Sequence, residues 1–279
     1  MEIRRSEKAG IHITSIKGQD LPIEAKKNVA GVAGLAILKA HNAQLGFEIR
    51  IEKNIKPGSG IGSSAASAAG TVAGINYLLG NPFTNKELIP FAMEGERLAC
   101  GSAHADNVAP ALLGGFTLVR DTNPLDICAL PTPLELVATV IHPKIEVKTA
   151  DARAVLKKRV TLEKAISQWG NVGALVSSLY EEDYDLLSRS LIDGIVEPTR
   201  AILIPHFSEL KAACKEAGAL GSGISGSGPS VFALSRGMPA ANTVAQAMQS
   251  VLEKTNIPFD IHVSPVKKTG VSFIEDLLT

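Results

Sequence analysis

Residues 57–70 read PGSGIGSSAASAAG, four glycines and four serines in one short stretch that passes directly into alanine-rich sequence. The segment before it, GFEIRIEKNI at 46–55, alternates apolar and polar residues as a half-buried strand does and ends near Lys53. The segment after it reads as a helix from Ser63 to Leu79. A strand, a glycine loop and a helix start bring free backbone N–H groups and the positive end of a helix dipole to one place, which suits a phosphate. The small residues Ala65, Ala66, Ala68, Ala69 and Gly70 let the helix lie close to the sheet. A Walker A loop needs Lys followed by Ser or Thr after its last glycine, and Gly62 is followed by Ser63 and Ser64 instead. GIGSSA meets the dinucleotide fingerprint superficially, but no acidic residue lies about 20 residues on to hold a ribose. A tight turn ahead of a closely packed helix stays open beside the phosphate reading.

Working outward, GIHITSI (10–16) reads as a strand and NVAGVAGLAILKAHNA (28–43) as a helix, so the chain opens β-α-β. Thr84 and Glu87 form a capping box that opens a helix running to about Cys100, and GGFTLVR (114–120) reads as a strand. Proline and aspartate accumulate in DTNPLDICALPTP, which places a domain boundary near Pro131 and predicts two domains, 1–131 and 132–279. Beyond it come the strand LELVATVIHP, helical patterns over 151–179 and 206–217, and a second glycine-rich turn, GSGISGSGPSVFALS. A helix over 240–254 and the strand FDIHVSPV follow. Strands and helices mix without a repeating βαβ unit, so the fold class is α+β.

The chain has 279 residues, 45% of them hydrophobic, enough for a substantial core. Lys plus Arg and Asp plus Glu number 28 each, so no global field favours nucleic acid or an anionic membrane surface, and any anionic ligand must be held locally. Cys100, Cys128 and Cys214 are scattered and odd in number, which argues against a disulfide framework and against a zinc site. MEIRRSEKAG has no apolar core of a signal peptide, and no apolar run reaches the roughly 20 residues of a membrane span. A cytoplasmic protein is the expectation.

The 57–70 stretch resembles the second motif of the GHMP kinases. HADNVAPALLGGF (104–116) is similar to a segment of the homoserine-kinase branch of that family, and GISGSGPSVFAL (223–234) to the family's third, glycine-rich motif. VKTADARAVL (147–156) and EPTRAILIP (197–205) extend the resemblance. It implies a two-domain GHMP kinase fold, with an N-terminal domain like ribosomal protein S5 domain 2 and a ferredoxin-like C-terminal domain. It implies ATP as co-substrate, cradled by Lys56, Pro57, Gly58, Ser59, Gly60, Ile61, Gly62, Ser63, Ser64, Ala65 and Ala66. The same resemblance puts Ser64 and Glu96 on Mg²⁺, and His104, Asp106, Asn107, Thr149, Arg153, Arg200 and Gly226 on homoserine. Glu94, about 200° from Glu96 on a helix, is on the wrong face to share the metal. Ser64, Glu96 and Asp106 are the expected catalytic residues, with Asp106 as base ranked below a binding role. The pairing of cationic and anionic groups suits a zwitterion better than mevalonate or a sugar. A homodimer is among the expected assemblies. The family's first motif, rich in Pro, Ala and Asn and ending Gly-Phe-Asp, is not found before the strand at Gly10. The expectation is therefore a shortened N-terminus, lacking an edge strand and turning over poorly.

Overall fold

β3 (Gly46–Glu52), the strand that leads into the glycine loop, is the centre of a three-stranded sheet. The computed structural model describes residues 1–279 apart from 43, 102, 146, 148–151, 153, 154 and 275–279. It divides into two units. The first takes Met1–Pro57, Gly62–Ala129 and Lys267–Thr279, and the second takes Gly58–Ile61 and Leu130–Val266.

In the first unit β3 runs antiparallel to β1 (Glu2–Ser6) and parallel to β2 (Gly10–Lys17). The parallel pair needs a crossover, supplied by α1 (Val29–Ala40), whose first turn is capped by Asn28 accepting from the Ala30 N–H. The period-2 alternation of β3 turns Phe47, Ile49 and Ile51 into the core and leaves Glu48 and Arg50 outside, paired with Arg4 and Glu2. α2 (Ser63–Leu78) and α3 (Asn85–Cys100) complete the layer over the sheet, and Ile37, Ile75, Leu88 and Ile89 are fully buried between them. Small side chains let these helices nearly touch: a Cβ added at Gly95 would lie 2.7 Å from the Val29 carbonyl oxygen and 3.1 Å from the Ala68 Cβ. The Thr84–Glu87 capping box opens α3 as the sequence predicts. α4 (Val108–Leu113) and the hairpin of β4 (Phe116–Thr122) and β5 (Leu125–Leu130) follow. β1 escaped the sequence reading because five residues with two adjacent arginines carry little apolar alternation.

In the second unit β6 (Leu136–Pro143) is followed by α5 (Leu162–Glu181), α6 (Tyr184–Ser190), α7 (Glu197–Arg200) and α8 (Phe207–Glu216). Then come β7 (Gly221–Ile224), β8 (Val231–Arg236), α9 (Gly237–Leu252) and β9 (Phe259–Pro265). The sheet order is β7-β8-β6-β9 with every pair antiparallel, the ferredoxin-like arrangement. Ile141, Val231 and Ala233 face Phe207, Leu210, Val244 and Met248 in its core. Of the stretch 151–179 expected to be helical, residues 151, 153 and 154 lie outside the described residues, and α5 starts at Leu162, where Thr161 accepts from the Lys164 N–H. The like-charged run Lys157, Lys158, Arg159 ahead of it disfavours an earlier start near a positive helix terminus. The helix expected over 240–254 begins three residues earlier, at Gly237. Thr149 and Arg153 lie outside the described residues.

Candidate active site

The loop between β3 and α2 holds Gly58, Gly60 and Gly62 at φ of 76°, 80° and 74°. At Gly60 the requirement is twofold: left-handed backbone, and a space in which a Cβ would come 2.5 Å from the Ser225 carbonyl oxygen and 2.7 Å from that of Gly228. The loop tip is held by the second glycine turn. Ser225 Oγ donates to the Gly60 carbonyl at 2.8 Å and Ser230 Oγ to that of Ser59 at 2.6 Å. His142 Nδ1 lies 3.1 Å from Ser230 Oγ and buttresses it.

Gly62 is the residue that starts α2, so no side chain caps this helix, and its first turn carries no acidic residue. Its leading N–H groups therefore meet no side-chain acceptor, in contrast with α1, α3 and α5, each capped by Asn or Thr. A helix start left in this way is set up to receive an anion.

Beneath it sits a buried charged pair. Lys53 continues the inward phase of Phe47, Ile49 and Ile51 and is 6% exposed. Its Nζ donates to the Ser63 carbonyl and to Ser67 Oγ, each at 2.5 Å, tying the end of β3 to the first turn of α2. Burial strips the ammonium of water and lowers its pKa to about 8, an effect the nearby Glu96 carboxylate opposes. Glu96 on α3 is 3% exposed, and its Oε1 has no hydrogen-bond partner. Burial raises its pKa. The Ser64 hydroxyl, hydrogen-bonded to it, holds the value down, Asp106 pushes it up, and His104 and Lys53 act against that. A carboxylate with one oxygen open, beside a serine at an uncapped helix start, has the donor chemistry of a hard-cation ligand. Among the described residues no group of three or more His, Cys, Asp or Glu could hold a metal ion by itself. Glu94 stands apart, exposed and paired with Arg97.

The structure thus brings Ser64, Glu96, His104 and Asp106 together in the first unit. Asn107 joins them, since a Cβ at Gly62 would lie 3.8 Å from Asn107 Oδ1. His104, Asp106 and Asn107 are exposed just ahead of α4, with Asp106 Oδ1 accepting from the Asn107 N–H at 3.0 Å. Ser63 has a different task, its Oγ donating to the Ile55 carbonyl at 2.7 Å inside the loop. Lys56 and Pro57 are exposed at the loop entry. In the second unit Arg200 ends α7 and donates from Nε to the Ala152 carbonyl and from a terminal nitrogen to that of Gly226, both at 3.1 Å. Gly226 itself has φ of 58°, and a Cβ there would sit 3.0 Å from the Gly60 carbonyl oxygen. Sequence reasoning missed Lys53, Ser67, His142, Ser225 and Ser230. For Lys53 the signal was present, a cation in phase with three buried apolar residues of β3.

Residues 27–115 match the family of the GHMP kinases N terminal domain, and residues 163–254 that of the GHMP kinases C terminal. The chain belongs to the GHMP kinase family. Within it the chain is similar to homoserine kinases. That of Chlorobium phaeobacteroides strain BS1 is 47% identical, over 97% of this chain and 88% of the relative. That of Chloroherpeton thalassium is 50% identical, over 91% of this chain and 82% of the relative. The crystal structure of homoserine kinase from Cytophaga hutchinsonii aligns with a TM-score of 0.92 at 52% identity, covering 96% of this chain and 86% of that one.

Proposed function

We propose that this protein transfers the γ-phosphoryl group of ATP to the side-chain hydroxyl of homoserine, giving O-phospho-L-homoserine and ADP on the route to threonine. The observation that carries it is the buried Glu96, hydrogen-bonded to Ser64 at the uncapped start of α2, in a chain about half identical to homoserine kinases. The expectation of poor turnover is not favoured by that similarity. Phosphoryl transfer rests mainly on positioning and charge stabilisation, and this chain's residues are disposed for both. The loop from Lys56 through Ala66 holds the phosphates, through the free backbone N–H groups of its glycine stretch and of the first residues of α2, and Lys53 fixes the turn that presents them. Ser64 and Glu96 would hold Mg²⁺, which neutralises phosphate charge when bound. Asp106 and the Asn107 side-chain oxygen accept from the homoserine ammonium, beside His104. By the family resemblance Arg153 and Arg200 take the homoserine carboxylate, and Thr149 and Gly226 are assigned to the same substrate. Asp106 binds rather than acts as base. The proposed enzyme is a cytoplasmic homodimer, and among the described residues no helix is long and apolar enough to cross a membrane.

The test compares homoserine with 4-hydroxybutyrate, which lacks the ammonium, and 3-aminopropanol, which lacks the carboxylate, in Mg-ATP-dependent ADP release. Each truncated alcohol should lose on the order of 100-fold or more in kcat/KM, because each leaves a set of buried or aligned partners unpaired. Equal turnover of either analogue overturns the recognition scheme.

A further inference from the structure

The glycine loop contains two successive peptide units whose carbonyls are held and whose N–H groups are not. Ser230 Oγ donates to the Ser59 carbonyl and Ser225 Oγ to the Gly60 carbonyl. Each of those carbonyls shares a trans peptide plane with the next N–H, that of Gly60 and that of Ile61, and a trans plane points its N–H opposite to its C=O. The two hydroxyls therefore turn both N–H groups away from the second glycine turn. Among the described residues neither N–H has an acceptor. Gly60 and Ile61 are half-buried, and backbone N–H groups away from water are seldom left unpaired. Two successive N–H groups freed in this way make an anion-binding nest.

His142 adds a third link. It is 5% exposed on β6, while Ser230 and Ser59 are 0 and 1% exposed. A serine hydroxyl has one proton, and Ser230 commits it to the Ser59 carbonyl, which can only accept. Nδ1 of His142, 3.1 Å from the same hydroxyl oxygen, must then be a protonated ring nitrogen and donate to it. A chain of donors runs from the ring through the hydroxyl to the Ser59 carbonyl, and each bond polarises the next in this enclosed setting. It ends on the peptide unit whose N–H belongs to Gly60.

We propose that His142, Ser225 and Ser230 are positioning residues for the nucleotide: by fixing two peptide planes they aim the Gly60 and Ile61 N–H groups at its phosphates. The proposal rests on the reading of this loop as the phosphate cradle, and it gives a task to side chains that touch no phosphate themselves. Glycine at position 60 makes the lock necessary. With no Cβ, and at φ of 80°, it lets the flanking planes rotate readily, and a rotated plane would present a carbonyl oxygen to an anion in place of a donor.

Isothermal titration calorimetry of the full chain with ATP, below the melting temperature of every variant, tests this. Ser230→Ala and Ser225→Ala should each weaken ATP binding roughly 10-fold, since each frees one plane. His142→Leu removes the ring donor and should weaken binding roughly 5-fold, whereas His142→Asn, whose amide can donate from the place of Nδ1, should stay within about 2-fold of wild type. In Ser230→Ala the ring has lost its link to the loop, so adding His142→Leu should cost less than about 2-fold more. Val244→Ala is the control for a merely structural role, because it opens a cavity in the core of the same unit without touching either hydroxyl. It should lower stability and leave ATP affinity within about 2-fold. Losses from His142→Leu and Ser230→Ala that multiply, a His142→Asn variant as weak as His142→Leu, or a Val244→Ala loss equal to that of Ser230→Ala each overturns the positioning role. Serine variants that match wild-type ATP affinity overturn it as well and leave the kinase reading in place, whereas a wild type that does not bind ATP overturns both.

Discussion

Replacing Lys53 with methionine keeps the length of the side chain and removes the ammonium under α2. In the fold that group's pKa is lowered from 10.5 to about 8 by burial, whereas in the unfolded chain it returns to the ordinary lysine value. Below pH 8 both states carry the proton, and the cost of burying the charge is constant. Above it the folded protein gives up the proton first, so the unfolded chain binds more protons and stability rises with pH until the unfolded lysine also titrates. For these two values the gain between about pH 7 and about pH 9.5 comes to roughly 2 kcal/mol. Methionine has no proton to lose, so the variant lacks this gain. Urea unfolding followed by far-ultraviolet circular dichroism at the two pH values gives the quantity needed, the stability of wild type minus that of Lys53→Met. The difference should move in favour of wild type by roughly 2 kcal/mol from the lower to the higher pH. A difference that stays constant would show that Lys53 titrates like a solvated lysine and is not enclosed between Ser63, Ser67 and Glu96.

Glu96→Gln should lower kcat by roughly 100-fold or more while ATP affinity changes little, since in the proposed site backbone N–H groups would hold the phosphates and the carboxylate would serve the cation. The same variant should melt higher than wild type in the absence of ligand, because the buried carboxylate whose pKa is raised by burial is gone; an unchanged kcat would mark Glu96 as a bystander. As pH falls toward that raised pKa, protons compete with the cation, so the Mg²⁺ concentration for half-maximal activity should climb. A flat profile from neutral to mildly acidic pH would argue against Glu96 as the ligand. Gly60→Ala pays roughly 1–2 kcal/mol for left-handed backbone and also drives a methyl group to within 2.5 Å of the Ser225 carbonyl oxygen, so it should raise the ATP KM far more than Gly62→Ala. At Gly62 the added methyl meets only Asn107 Oδ1 at 3.8 Å, and equal effects of the two substitutions would refute the clamp.

The architecture of the loop was open to reading because it is local. Glycine at 58, 60 and 62, the strand alternation before them and the small-residue helix after them are all signals within a few residues of one another. Ser64 and Glu96 were reached through resemblance, since no spacing rule links a loop serine to a carboxylate on the next helix. The clamp by Ser225 and Ser230 was invisible, because two hydroxyls some 170 residues from their acceptors leave no periodic trace. β7, with the sequence GSGI, offers almost no side-chain pattern, and only its ladder to β8 makes it a strand. Helical periodicity carried the reading straight through Thr161, although its capping hydroxyl marks the start of α5.

The central claim, a phosphoryl transfer from ATP to the homoserine hydroxyl, is tested most directly by following the full chain with Mg-ATP and homoserine by phosphorus NMR and assaying mevalonate and galactose in parallel. One phosphomonoester of homoserine should form for each ADP released, with kcat/KM for homoserine well above that for either other alcohol. Equal or higher kcat/KM with mevalonate or galactose, or ADP released without a new phosphomonoester, would contradict it.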